Sequence, residues 1–134
     1  MPFLVHPLIV HFPVALWLTS LLMDAWYWRR KEAFAARAGR LLLALGLVGA
    51  LGSVVAGFVD YWRLVALGVG EGLVRAHRTH SFLAYGAIGA YGLCLASRWR
   101  DAEPSRWWQA ALQVTGAVLV ALAGWYGGEL RRMM

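Results

Sequence analysis

The chain has 134 residues, 60% of them hydrophobic and only 15% charged, with a mean hydropathy of +0.56. A soluble domain of this size carries about a quarter charged residues and builds too small a core to hide so much apolar side chain, so lipid is the expected solvent. The net charge of +6 and pI of about 10.3 do not point to nucleic acid, because the basic residues punctuate apolar runs and form no stripe; a single cysteine, Cys94, excludes an internal disulfide and a zinc–thiolate cluster.

In chain order, residues 1–7 lack the basic opening of a signal peptide, and the first apolar run ends in Trp26-Tyr27-Trp28-Arg29-Arg30-Lys31. It reads as a retained membrane span over about 8–28. A charged connector is expected over 29–40, then a second span over 41–60. The stretch 61–76, broken by Gly68, Gly70 and Gly72, is expected to be an outer loop with an interfacial helical piece. A third span covers about 77–97, a short connector with Pro104 follows, and a fourth span covers about 107–127.

Each span has about 20 residues, which at 1.5 Å per residue matches a hydrocarbon layer of roughly 30 Å. The runs do not alternate as barrel strands would. The expected fold is therefore all-α: an integral membrane four-helix bundle, up-down-up-down, in one domain with both termini on the same side. Trp26, Trp28, Trp99, Trp107 and Trp108 mark one interface; Tyr61, Trp62, Trp125 and Tyr126 mark the other. Trp17 falls in mid-span, where packing is its expected role. Eight basic residues accompany the two short connectors and five the opposite side, which places the connectors in the cytoplasm and both termini outside. The expected location is the bacterial cytoplasmic (inner) membrane.

Small residues recur on single faces. Gly46, Gly49, Gly52, Ser53 and Gly57 thicken one side of the second span, and Ala117, Ala121 and Gly124 one side of the fourth. Such faces let helix backbones approach, and dispersion then drives association.

The four histidines form a pattern. His6 and His11 open the first span and His77 and His80 the third, and both spans enter lipid from the same surface. All four imidazoles are expected at similar depth. Imidazole ligates haem iron, copper and zinc, and two histidines from different helices can clamp a macrocycle. His11 with His80 is the expected ligand pair, being deeper than His6 and His77. A polar plug that only specifies packing is the plainer alternative. Asp60 and Arg78 lie at this level; Asp60 is a candidate to orient an imidazole or to pair with Arg63 or Arg78, and arginine there could meet propionates. Asp24 lies about one turn from the other membrane face. An unpaired carboxylate there costs several kcal/mol, so a structural pair with Arg37 or Arg40 is expected, with proton handling the sharper alternative.

The run His6-Pro7-Leu8-Ile9-Val10-His11-Phe12-Pro13 resembles the signature of a bacterial family of small predicted membrane proteins known by the label DUF2231. Asp24, Gly57 with Asp60, the region of His77 and the pair Gly127-Gly128 also fit. The resemblance implies four membrane helices and no established activity. Some relatives are fused to, or encoded beside, cytochrome c or Rieske-type domains, which implies an electron-transfer setting and haem b.

Three functions follow as expectations. The first is a membrane electron-transfer subunit holding haem b through these histidines, with quinone contact and with membrane or periplasmic redox subunits, such as a c-type cytochrome, as partners. The second is a cofactor-free structural or assembly subunit of a larger membrane complex. The third is a small transporter or proton-handling protein. Self-association into a homo-oligomer is compatible with each. The few candidate catalytic groups favour a non-catalytic redox or structural subunit over an independent enzyme.

Overall fold

Proline and the charged turns set the helix boundaries. The computed structural model describes residues 6–68 and 70–133 and is all helical among them. A short helix α1 (His6–Ile9) leads into α2 (His11–Arg30) through a turn at Val10. Pro13 has no N–H to donate four residues back, which explains the break. Lys31 ends α2 in the left-handed region at φ 56°, its N–H donating to the Tyr27 carbonyl at 2.8 Å. Extended Glu32 then starts α3 (Ala33–Ala66) at once.

The charged segment 29–40 is therefore mostly helix, and the turn between α2 and α3 is only two residues long. The segment 61–76 is likewise helical at both ends: α3 continues to Ala66 and α4 (Glu71–Ser97) begins before His77. Gly68, at φ 72°, supplies the positive φ between them. After Pro104, α5 (Trp107–Met133) starts with the Gln109 side chain accepting from the Arg106 N–H at 3.1 Å, a reciprocal cap at the helix start. The same Gln109 donates to the Ser97 hydroxyl at 2.9 Å and so ties α5 to the end of α4.

His6–Arg30, Ala33–Ala66 and Trp107–Leu130 are each long and apolar enough to cross a membrane. Helix α4 is long enough, but it carries Glu71, Arg75 and Arg78 in its first turns and Arg98 just past its end. Large apolar side chains such as Leu22, Phe34, Val48, Phe82, Leu93 and Trp125 lie exposed on the outside. Apart from Leu43, Leu64, Leu73 and Leu130, the buried positions described are mostly small, aromatic or polar. That inverted distribution, with several long apolar helices, is consistent with a helical bundle in a membrane.

Helices α2 and α3 form one antiparallel hairpin, and α4 and α5 another. In the first, Asp24 lies against Gly39, Trp17 against Gly46, Phe12 and Pro13 against Gly49, and His6 against Gly57. In the second, Tyr91 lies against Gly116, Leu119 against Gly86, and His80 against Gly127. Packing is closest within each hairpin; the hairpins meet along α3 with α4 and α2 with α5. The small face of α3 is used much as its spacing predicts, although Gly52 faces open space. On α5 the face differs from expectation: Gly116, Ala123 and Gly127 pack inward, while Ala121 and Gly124 point away.

The two hairpins are structural repeats. A shift of 74 residues carries α1 and α2 onto α4: His6 onto His80, Pro13 onto Ala87, Trp17 onto Tyr91, Ser20 onto Cys94, and Asp24 onto Arg98. A shift of 70 carries α3 onto α5: Gly39 onto Gln109, Leu43 onto Gln113, Gly46 onto Gly116, Ser53 onto Ala123, and Gly57 onto Gly127. Members of each pair are alike in exposure: His6, His80, Gly57 and Gly127 are half-buried and the others buried. Even the hydrogen bonds correspond: Ser20 Oγ donates to the Gly39 carbonyl at 2.9 Å, and Cys94 Sγ to the Gln109 carbonyl at 3.7 Å. The equivalent residues of α2 and α4 meet, so the repeats are parallel and related by a pseudo-two-fold axis along the helices.

Candidate functional site: a histidine layer and an ion-pair layer

Three layers of equivalent residues meet on that axis. At one end lie His6 and His80, ring centres 5.6 Å apart and planes at 89°. In the middle Trp17 and Tyr91 stack, centroids 4.2 Å apart and 17° from parallel. Each presses on a glycine, Gly46 and Gly116, where a side chain would collide with the ring. At the other end lie Asp24 and Arg98.

Both histidine rings are held identically. His6 Nδ1 lies 2.7 Å from the Ser53 carbonyl and His80 Nδ1 2.8 Å from the Ala123 carbonyl, and Ser53 and Ala123 are equivalent positions. A carbonyl oxygen only accepts, so Nδ1 carries a proton in each ring, which leaves the lone pair of a neutral ring on Nε2. This is the tautomer a metal-binding imidazole uses when a carbonyl orients it. Gly57 and Gly127 give the rings their seats: a Cβ there would stand 3.2 Å from His6 Nδ1 and 3.4 Å from His80 Nδ1.

The expected pair His11 and His80 is not brought together. His11 is exposed on the outside of α2, and His6 takes its place. The five-residue spacing turns one of the two away from the axis, and the short α1 continues the helix far enough to place His6 inside. His77 stacks on Tyr61 of α3, centroids 4.5 Å apart, with its Nε2 3.4 Å from the Ser81 hydroxyl. Asp60 accepts the backbone N–H of His6 at 2.9 Å rather than an imidazole N–H, and sits 3.9 Å from Arg63. It fixes the start of α1 and therefore the depth of His6. Arg78 is exposed. Among the described residues no three His, Cys, Asp or Glu side chains gather as a metal cluster.

The ion-pair layer is built differently from expectation. The partner of Asp24 is Arg98, at 2.7 Å with both side chains fully buried. Arg37 is exposed, and Arg40 reaches only the Arg98 carbonyl at 3.4 Å. Arg98 also donates to the Ala36 carbonyl at 3.0 Å and to the Ala102 carbonyl through Nε and Nη2, at 3.0 and 2.6 Å. Gln113 donates to the same Asp24 oxygen, and the Ser20 hydroxyl lies 3.5 Å from the Gln113 carbonyl oxygen. Arg98 looks like connector charge in the sequence because it follows the last apolar residues; the turn after Ser97 folds it inward. Gln113, in mid-helix among apolar neighbours, was the available signal for this layer.

A family model described as "Predicted membrane protein (DUF2231)" matches residues 2–133. No curated protein and no solved structure matches the chain. With the match running over nearly its whole length, this chain belongs to the DUF2231 family of predicted membrane proteins.

Proposed function

We propose that the chain is a structural or assembly subunit of a larger membrane complex: a four-helix up-down-up-down bundle in the bacterial cytoplasmic membrane, with both termini outside. The observation that carries this reading is the Asp24–Arg98–Gln113 layer. Arg98 bonds one Asp24 oxygen and the Ala36 and Ala102 carbonyls, Gln113 bonds that same oxygen, and the layer joins the two hairpins, while Asp24 Oδ1 has no partner among the described residues. With its Oδ2 held by both Arg98 and Gln113, Asp24 suits locking better than moving protons. Native electrophoresis of solubilised membranes tests the proposal. The chain is expected to migrate within a larger complex that disappears when the gene is deleted. Migration of the chain alone, with every membrane complex intact in the deletion strain, overturns it.

A second reading is favoured by the matched tethering of His6 and His80. In it the chain is an electron-transfer subunit with haem b near the outer face, exchanging electrons with quinol and a periplasmic c-type cytochrome. Purified protein would then show the split-peaked reduced spectrum of bis-imidazole haem. A featureless visible spectrum after haem loading removes this reading and leaves the first standing.

A further inference from the structure

We infer that His6 and His80 form a two-imidazole metal centre on the pseudo-two-fold axis, each giving its Nε2 to one metal from opposite sides. The inference deepens the haem reading and is independent of the scaffold reading.

The symmetry carries the argument. The two rings come from equivalent positions, are oriented by equivalent carbonyls and rest on equivalent glycines. A polar plug would satisfy itself by a hydrogen bond between the rings. That requires one ring to present an Nε2 proton, yet both rings hold their proton at Nδ1. As neutral rings, each would offer an Nε2 lone pair at the axis, and two such donors suit one shared electron-pair acceptor.

Metal–imidazole bonds are about 2.0–2.1 Å and a ring centre lies about 1.1 Å further on, so two imidazoles on opposite sides of one metal have ring centres roughly 6.4 Å apart. The observed 5.6 Å is shorter, so the two rings would move apart by just under about 1 Å to admit a metal. The axis just below the rings is lined by Pro13, Ala50, Ala87 and Ala123, small buried residues on all four helices. The donor set fits haem iron and also monovalent copper, both of which accept neutral imidazole.

The test loads purified full-length protein separately with haem and with Cu(I), and compares His6→Ala, His80→Ala and His11→Ala. One metal per chain is expected, lost in the first two variants and retained in the third. Added imidazole is expected to restore binding to His6→Ala and His80→Ala, which a purely structural role would not produce. If haem is the occupant, the perpendicular rings predict a highly anisotropic low-spin ferric EPR signal. Binding of copper alone keeps the axial site and removes the haem reading. Haem retained in His6→Ala but lost in His11→Ala keeps that reading and overturns the pairing. Absence of both metals from the wild type overturns the site.

Discussion

Arg98 and Asp24, 2.7 Å apart and without solvent exposure, occupy equivalent positions on the two hairpins of this protein. A two-fold arrangement of identical residues would set like charges against each other there. The chain instead places opposite charges at the paired positions, so the polar layer becomes a bond between its halves.

Breaking that bond on one side leaves a buried charge uncompensated. Arg98→Ala is expected to destabilise the bundle by on the order of 3–5 kcal/mol, read from unfolding in mixed detergent. Asp24→Leu combined with Arg98→Met removes both charges and should recover most of the loss. Equal damage in the single and double variants would show that the charges do not act as a pair.

The aromatic layer is set by the glycines beneath it. Gly46→Val and Gly116→Val each drive a side chain into an aromatic ring, Trp17 or Tyr91, and are expected to cost about 1–3 kcal/mol through overpacking. Trimming the opposing ring, as in Gly46→Val with Trp17→Leu, should return part of it. Tolerance of both glycine substitutions in a thermal melt would contradict the close approach.

The histidine tautomers are directly observable. Nitrogen NMR of labelled protein is expected to show Nδ1 of both His6 and His80 protonated and hydrogen-bonded. Gly57→Leu should disturb His6 and leave His80 unchanged; Gly127→Leu should do the reverse. An unprotonated Nδ1 on either ring in the wild type would contradict the tethering to Ser53 and Ala123.

Cysteine labelling on a Cys94→Ser background tests the proposed membrane arrangement. Glu32→Cys and Asp101→Cys lie at the turns within the hairpins and should react from the cytoplasm. Glu71→Cys, between the hairpins, should react from outside. Reaction of residues 32 and 71 from one face would exclude it.

Membrane character was legible from the chain itself. Runs of about twenty apolar residues, flanked by tryptophan and arginine, need no tertiary context to declare their solvent, because transfer into lipid is a sum over side chains. The pairing of small faces with bulky rings was half legible. Glycine spacing on α3 showed a face but not that Trp17 and His6 would occupy it.

Which polar residues meet was decided only by the tertiary structure. His11 and His6 are equally good ligands as residue types, and the choice between them depends on the helix rotation at Pro13 and on Asp60 fixing the first turn. Arg98 carries the same charge as Arg37 and Arg40, and only the fold of the turn after Ser97 brings it inside. The repeat is faint in the sequence because equivalent positions carry different residues: Asp for Arg, Trp for Tyr, Ser for Cys. What is shared is burial and hydrogen-bonding geometry, properties of packed helices rather than of letters.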